Sequence, residues 1–305
     1  MRNERGFSLV ELLVAMLIML LISGAATTAL LKMTSSQATL WNRTQMHSGI
    51  RGATEVLQQE VGQAGAAALP SAVTLSANVS LGSNRTVNVS SASGMFVGEY
   101  LTIDAGASQE TVQLTAVNKT STPNTVTADF GKDHNNGAAV AVFGSFQAGV
   151  VPPSTTNGST GSVLKLFGDI NGDGNMVYVE YSCDTTAGNL YRNSMPFDQT
   201  TAKTAATASQ ILLSNVIVNP GTPTPPCFTY QTTTVAGVDF VTNVAVTLTV
   251  QTQQLDPVTK TYQTETKALL NVAPRNVVNA CNLAALQQMT SRIQPTPATI
   301  TNLLP

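Results

Sequence analysis

Arg5-Gly6-Phe7-Ser8-Leu9-Val10-Glu11, followed by an apolar run from Leu12 to Ile22, decides how this chain is read. Ser23 to Leu31 stays small or apolar, so Glu11 is the single ionisable side chain between Phe7 and Leu31. As a helix, residues 7–31 span about 37 Å, enough to cross a bilayer core. Residues 1–6 are a short basic leader. An ordinary secretory signal is cut after its apolar run, and Ser23-Gly24-Ala25-Ala26 fits such a site. That reading leaves Glu11 without a purpose. A carboxylate inside an apolar segment costs about 2.5–3.5 kcal/mol at the bilayer centre and is functional by default.

The helix does not stop at Leu31. No proline occurs before Pro70. Met46, Ile50, Ala53, Leu57, Val61 and Ala64 recur at helical spacing, with Arg43, Gln45, Arg51, Gln58 and Glu60 mostly on the other faces. One helix is predicted from Phe7 to about Gly62 or Gly65. Its first half faces lipid or a helix bundle, and its second half lays an apolar stripe on a β-sheet. Gly49 and Gly52 each weaken it by about 1 kcal/mol relative to alanine, marking a bend, a close packing contact or a tolerated glycine. Gly65 to Pro70 ends it.

The rest is β-like. Of 305 residues only 10% are charged and 43% are hydrophobic, with a net charge of −2. Such a surface offers no broad basic field for nucleic acid. Val and Thr are abundant, which favours strands. Residues 75–149 hold short alternating segments such as Tyr100-Leu101-Thr102-Ile103 and Thr111-Val112-Gln113-Leu114, broken by Gly, Asn, Pro or Asp. Val163-Leu164-Lys165-Leu166-Phe167 and Met176-Val177-Tyr178-Val179-Glu180-Tyr181 flank a Gly/Asp turn, and Leu190-Tyr191-Arg192 and Phe228-Thr229-Tyr230 are further strands. Residues 244–250 and 264–272 read as an antiparallel hairpin. The fold class is α+β: a long N-terminal helix, transmembrane in its first half, packed on an antiparallel β head, with an inserted small β-domain. The expected divisions are 1–6 (leader), 7–66 (helix, 7–31 transmembrane), 67–150 (insert), 151–281 (head) and 282–305 (tail). Residues 283–292 read as a short helix, followed by a loose Pro/Thr segment.

Two chemistries present themselves in the head. Asp169, Asn171, Asp173, the Asn175 carbonyl and Glu180 have the spacing of a calcium loop, with Gly174 at the sharp turn. No cofactor is required, and calcium is the one candidate. Asn-Gly and Asp-Gly between alternating strands are equally a hairpin signal needing no metal. Cys183, Cys227 and Cys281 form no CxxC pair. They are read either as one disulfide with one thiol left over or as three buried thiols. His47 and His134, the two histidines, are expected at the surface, and neither has the spacing of a metal cluster or of a nucleophile–base pair. The chain is not read as an enzyme.

Arg5-Gly6-Phe7-Ser8-Leu9-Val10-Glu11 resembles the processing site of type IV prepilins. The resemblance implies cleavage between Gly6 and Phe7 by a prepilin peptidase/methyltransferase, N-methylation of Phe7, and a role for Glu11 in subunit assembly. The order of elements is similar to PilW-type minor pilins, relatives of the larger type II secretion pseudopilins. The matching features include the Asn171-Gly172-Asp173-Gly174 turn, Leu190-Tyr191-Arg192, Phe228-Thr229-Tyr230 and Pro274-Arg275-Asn276. It implies an inner-membrane single-pass protein with a periplasmic head, later carried into a cell-surface pilus beside the major pilin and other minor pilins. Its expected work is to initiate, cap or decorate that pilus. A pseudopilin at the tip of a secretion filament and an adhesin or ligand-binding module on a pilin stalk are the alternatives.

Overall fold

The computed structural model describes residues 8–154, 156–198 and 202–305. It divides into two compact units, Met1–Ser48 with Gln251–Glu265, and Gly49–Val250 with Thr266–Pro305. A single helix, α1 (Leu9–Gln63), enters both. Its stripe reads as predicted: Met46, Ile50, Ala53, Leu57, Val61 and Ala64 are all buried. Burial of Ile50, Leu57 and Val61 contributes about 1.5–3 kcal/mol each. The two glycines differ. A Cβ on Gly49 would lie 3.3 Å from Leu213, a close packing contact, whereas one on Gly52 meets nothing within 4 Å.

The helix ends where three strands of chain meet. Gly65 turns left-handed (φ +86°), its N–H donating to Phe167 O and its carbonyl accepting from Phe146 N, both at 2.8 Å. A Cβ on Gly149 would sit 2.2 Å from Gly65 Cα. Only glycine fits there, and the chain that departs at Gly65 returns to the same place at Gly149.

Between those glycines lie β1 (Val73–Thr74), β2 (Gly82–Val89), β3 (Tyr100–Ile103), β4 (Glu110–Asn118), β5 (Asn124–Phe130) and β6 (Ala139–Val142). They pair antiparallel in the order β1-β6-β3-β4-β5-β2. A bridge from Leu75 to Val89 joins the first and last members, so the sheet curls shut. Leu75, Val89, Leu101, Ile103, Leu114 and Ala128 fill the inside, the alternate residues that a pleated strand turns one way.

β7 (Ser145–Phe146) leads into the head. There β8 (Val163–Gly168), β9 (Val177–Asp184), β10 (Asn189–Pro196) and β11 (Ile211–Ser214) form an antiparallel sheet. A second sheet holds β12 (Val216–Ile217), β13 (Phe228–Val235), β14 (Val238–Gln251) and β15 (Thr264–Val272). The expected partner strands for residues 244–250 and 264–272 are present, and β14 also reaches back to pair with β13 across Ala236-Gly237, both with positive φ. The disulfide Cys183–Cys227 ties β9 to the residue before β13. Closing a separation of 44 residues stabilises the fold by about 4 kcal/mol in the chain-entropy account. Cys281 stays a buried thiol, and burial pushes it up from its ordinary value.

The C-terminal segment corrects the expectation of a loose tail. Helix α2 (Arg275–Ala285) begins earlier than the sequence suggested, β16 (Ile293–Gln294) pairs parallel with β7, and α3 (Ala298–Leu303) follows Pro297. Ile300 and Leu303 are fully buried in a cluster with Phe96, Phe146, Phe167 and Phe197. Two apolar residues three apart on a short helix outweigh the Pro/Thr composition of the segment.

Candidate functional site

The structure places the N-terminal segment as follows. Gly6 and Phe7 lie outside the described residues. Ser8 precedes α1, and its N–H donates to Glu11 Oε2 at 3.1 Å while its carbonyl accepts from Leu12 N at 3.1 Å. This is the Ser-x-x-Glu half of a capping box, with a carboxylate at the positive end of the helix dipole. Sequence reading assigned Glu11 no such local role, though the Ser8–Glu11 spacing carries the signal. Around Glu11 the stem is bare: Leu9, Leu13, Leu17, Leu20 and Leu21 are all more than half exposed. Thr27 and Thr28 turn their hydroxyls back onto Ser23 O and Gly24 O at 2.8 Å, as hydroxyls do where no water is at hand. Among the described residues α1 is the one helix long and apolar enough to cross a membrane. A surface this apolar requires lipid or other helices against it. The site therefore offers a carboxylate set in an otherwise greasy wall.

The Asp/Asn/Gly loop is braced from within. Asp169 accepts the N–H groups of Asp173 and Gly174 at 3.1 Å each, and Asp173 accepts that of Asn175 at 2.8 Å. Asn171 is exposed on the turn. Glu180 sits on β9 and accepts from Tyr178 Oη at 2.9 Å and Lys203 Nζ at 2.8 Å. An extended strand carries it roughly 10 Å beyond Val177. The structure thus does not bring Glu180 into the loop with Asp169 and Asp173. Among the described residues no group of three or more His, Cys, Asp or Glu is placed to hold a metal ion.

Three buried polar groups escaped the sequence reading. Glu60, expected off the apolar stripe, is only 8% exposed; it takes the Arg192 guanidinium on both oxygens (2.5–3.1 Å) and the Tyr181 hydroxyl at 2.5 Å. Burial, then the Glu60 carboxylate, pushes the Tyr181 phenol far up. His134 corrects the expectation of a surface position. Its side chain is wholly buried between Asp104 (3.3 Å) and Glu110 (2.6 Å), one carboxylate at each ring nitrogen. His47, by contrast, is exposed and paired with Glu265.

Glu99 is the third. It is fully buried, with Oε2 accepting the Phe96 N–H at 3.3 Å and Oε1 unpartnered. Burial raises its carboxyl to about 8, against smaller opposing effects of the Phe96 N–H and Lys119. The folded value lies above the ordinary one near 4.5, so folding favours the protonated acid. Stability is therefore full below that ordinary value and falls as pH rises toward about 8. Glu99→Gln is expected to remove this slope and to gain on the order of a few kcal/mol at alkaline pH. Thermal unfolding of the detergent-solubilised chain across that range checks it; parallel curves for the two proteins would refute it.

Residues 1–27 match the family described as the prokaryotic N-terminal methylation motif. No curated protein and no solved structure shows significant similarity to the chain. The matched segment contains Glu11 and most of the bare apolar stem described above. On the strength of residues 1–27, the motif indicates a type IV pilin or pseudopilin class, whose members are structural rather than enzymatic.

Proposed function

We infer that the chain is a minor type IV pilin. A prepilin peptidase removes residues 1–6 and methylates Phe7. The stem holds the mature chain in the inner membrane with its head in the periplasm. Assembly machinery then draws it, in low copy, into a pilus with the major pilin and other minor pilins. What carries this reading is Glu11 on an uncovered apolar helix inside the matched motif. The methylated amine of a neighbour's Phe7 is a cation that neutralises such an acid in a place of low dielectric. The buried pair would select one axial register between stems, as single polar groups do in coiled coils.

Mass spectrometry of the protein isolated from its own membranes tests the processing. The expected mature chain begins at a methylated Phe7. A chain beginning at Met1, or trimmed after Ala26, would end the pilin reading. The adhesin alternative draws support from the closed β-domain of residues 73–142, which is more than a stalk requires. Deleting it should abolish surface or cell–cell binding while pili remain. Binding that survives the deletion counts against that alternative.

A further inference from the structure

The closed β-domain, the head and helix α3 meet around one cavity of about 360 Å³, within a single compact unit. Met95, Phe96 and Val117 line it from the β-domain, Phe197 from the residue after β10, and Ala298 and Thr299 from α3. Phe96 and Phe197 meet edge to face, their ring centres 6.3 Å apart. Lys119 and Asp198 also line it, paired at 3.2 Å and both partly exposed, with the Lys119 ammonium 5.9 Å from the centre of the Phe197 ring. The size falls at the small end of ligand pockets, which run from about 300 to 1,000 Å³. A second observation marks the same place. Among the described residues five buried side-chain polar atoms have no hydrogen-bond partner. Folded proteins pair nearly all such atoms, so each exception calls for an explanation. Two of the five gather here: the hydroxyl of Thr299, which lines the cavity, and Glu99 Oε1, whose carboxyl is bonded to the N–H of the lining residue Phe96.

The lining selects the chemistry of an occupant. Lys119 and Asp198 already neutralise each other, so a charged ligand must part them and strand one charge, whereas a neutral ligand leaves them paired. A sugar is ill matched, because most of its hydroxyls would leave water for an apolar wall without a partner. A flat ring is well matched: aromatic edges and faces attract one another, and the Met95 thioether is favourable beside a ring. The polar groups on offer are chiefly donors. Thr299 has a free O–H, and Lys119 has three N–H groups of which Asp198 takes one. They call for an acceptor, and a carbonyl is the neutral group that provides one. We propose that this cavity binds a small neutral aryl amide or ester, its ring against Phe96, Phe197 and Met95 and its carbonyl oxygen accepting from Thr299 and Lys119. Such a ligand touches the β-domain, the head and α3 at once, so it also clamps the β-domain in place. The proposal does not depend on the minor-pilin reading.

The test uses the full chain in lipid nanodiscs and saturation-transfer NMR. The probe is phenylacetamide, with phenylacetate and phenethylammonium as charged counterparts of nearly the same size. Phenylacetamide is expected to bind in the millimolar range that a ligand of about ten heavy atoms reaches. It should bind at least about fivefold more tightly than either charged probe. Thr299→Val keeps the side-chain shape and removes only a hydroxyl that has no partner, so it should leave the melting temperature unchanged or raise it while weakening phenylacetamide about five- to tenfold. Ala298 is exposed on α3, so Ala298→Trp is tolerated by the fold and should block the cavity and abolish binding. A signal no greater than that of empty nanodiscs, equal affinity for the three probes, or wild-type affinity in either variant overturns the proposal. None of these outcomes bears on processing at Phe7, so the minor-pilin reading stands or falls separately.

Discussion

Glu11→Ala is expected to leave processing and membrane level intact while cutting the chain's share in filaments at least about tenfold. Removing a carboxylate from an apolar helix makes insertion easier, because the charge opposes insertion by as much as about 2.5–3.5 kcal/mol at the bilayer centre. A loss of assembly therefore cannot come from failed anchoring. Nor does the helix itself depend on Glu11. Its bond to the Ser8 N–H is a capping contact of about 1 kcal/mol on a helix that runs from Leu9 to Gln63. What the substitution removes is the negative charge available to another subunit. Glu11→Gln separates the two roles, since the amide oxygen still accepts from Ser8 but carries no charge. It should behave like Glu11→Ala in filaments. Surface display of Glu11→Ala at wild-type level would show that no neighbour's amine depends on this acid.

Glu60→Ala is the second large effect, and it is one of stability. Arg192 is half-buried, and its guanidinium spends itself on Glu60. Without the carboxylate, Arg192 and the Tyr181 hydroxyl are left facing a small apolar methyl in the packed joint between α1 and β9–β10. Breaking a buried ion pair from one side costs about 3–5 kcal/mol. In a domain of this size that lowers the melting temperature by roughly 10 °C. Replacing both partners with apolar residues, Glu60→Leu with Arg192→Met, should recover much of the loss, because no charge is then stranded. Thermal unfolding of the solubilised chains decides it. A drop of under about 1 kcal/mol for Glu60→Ala would mean that water already reaches the pair.

The long helix and its buried stripe were legible because they rest on periodicity: Ile50, Ala53, Leu57 and Val61 recur at one spacing, and no proline interrupts. The strands were legible where apolar residues alternate, as along β3 and β4. The joint at Gly65 and Gly149 was not, because two glycines 84 positions apart carry no mark that their backbones touch. Glu60 misled for a related reason. Three residues after Leu57 and seven after Ala53, it lies at the edge of the buried stripe, but a carboxylate is assigned to water unless its partner is known, and that partner, Arg192, stands on a strand far along the chain. The same holds for His134, whose carboxylate partners lie 24 and 30 positions away. Of the calcium pattern, the turn glycines were read correctly as turns (Gly172 and Gly174 both have positive φ), but the motif could not say that a strand would carry Glu180 toward Lys203.

The meeting of Gly65 and Gly149 has a mechanical consequence. Tension drawn along α1 passes at Gly65 directly into Phe167 and Phe146 through two backbone hydrogen bonds. The closed β-domain leaves and re-enters the chain at that junction, and it is held to the head beside it by Phe96 against Phe146 and Phe197 and by Tyr100 bonded to Gln294. In the proposed filament, traction along the helix would enter the disulfide-tied sheets first, and would reach the closed β-domain only sideways, through those contacts.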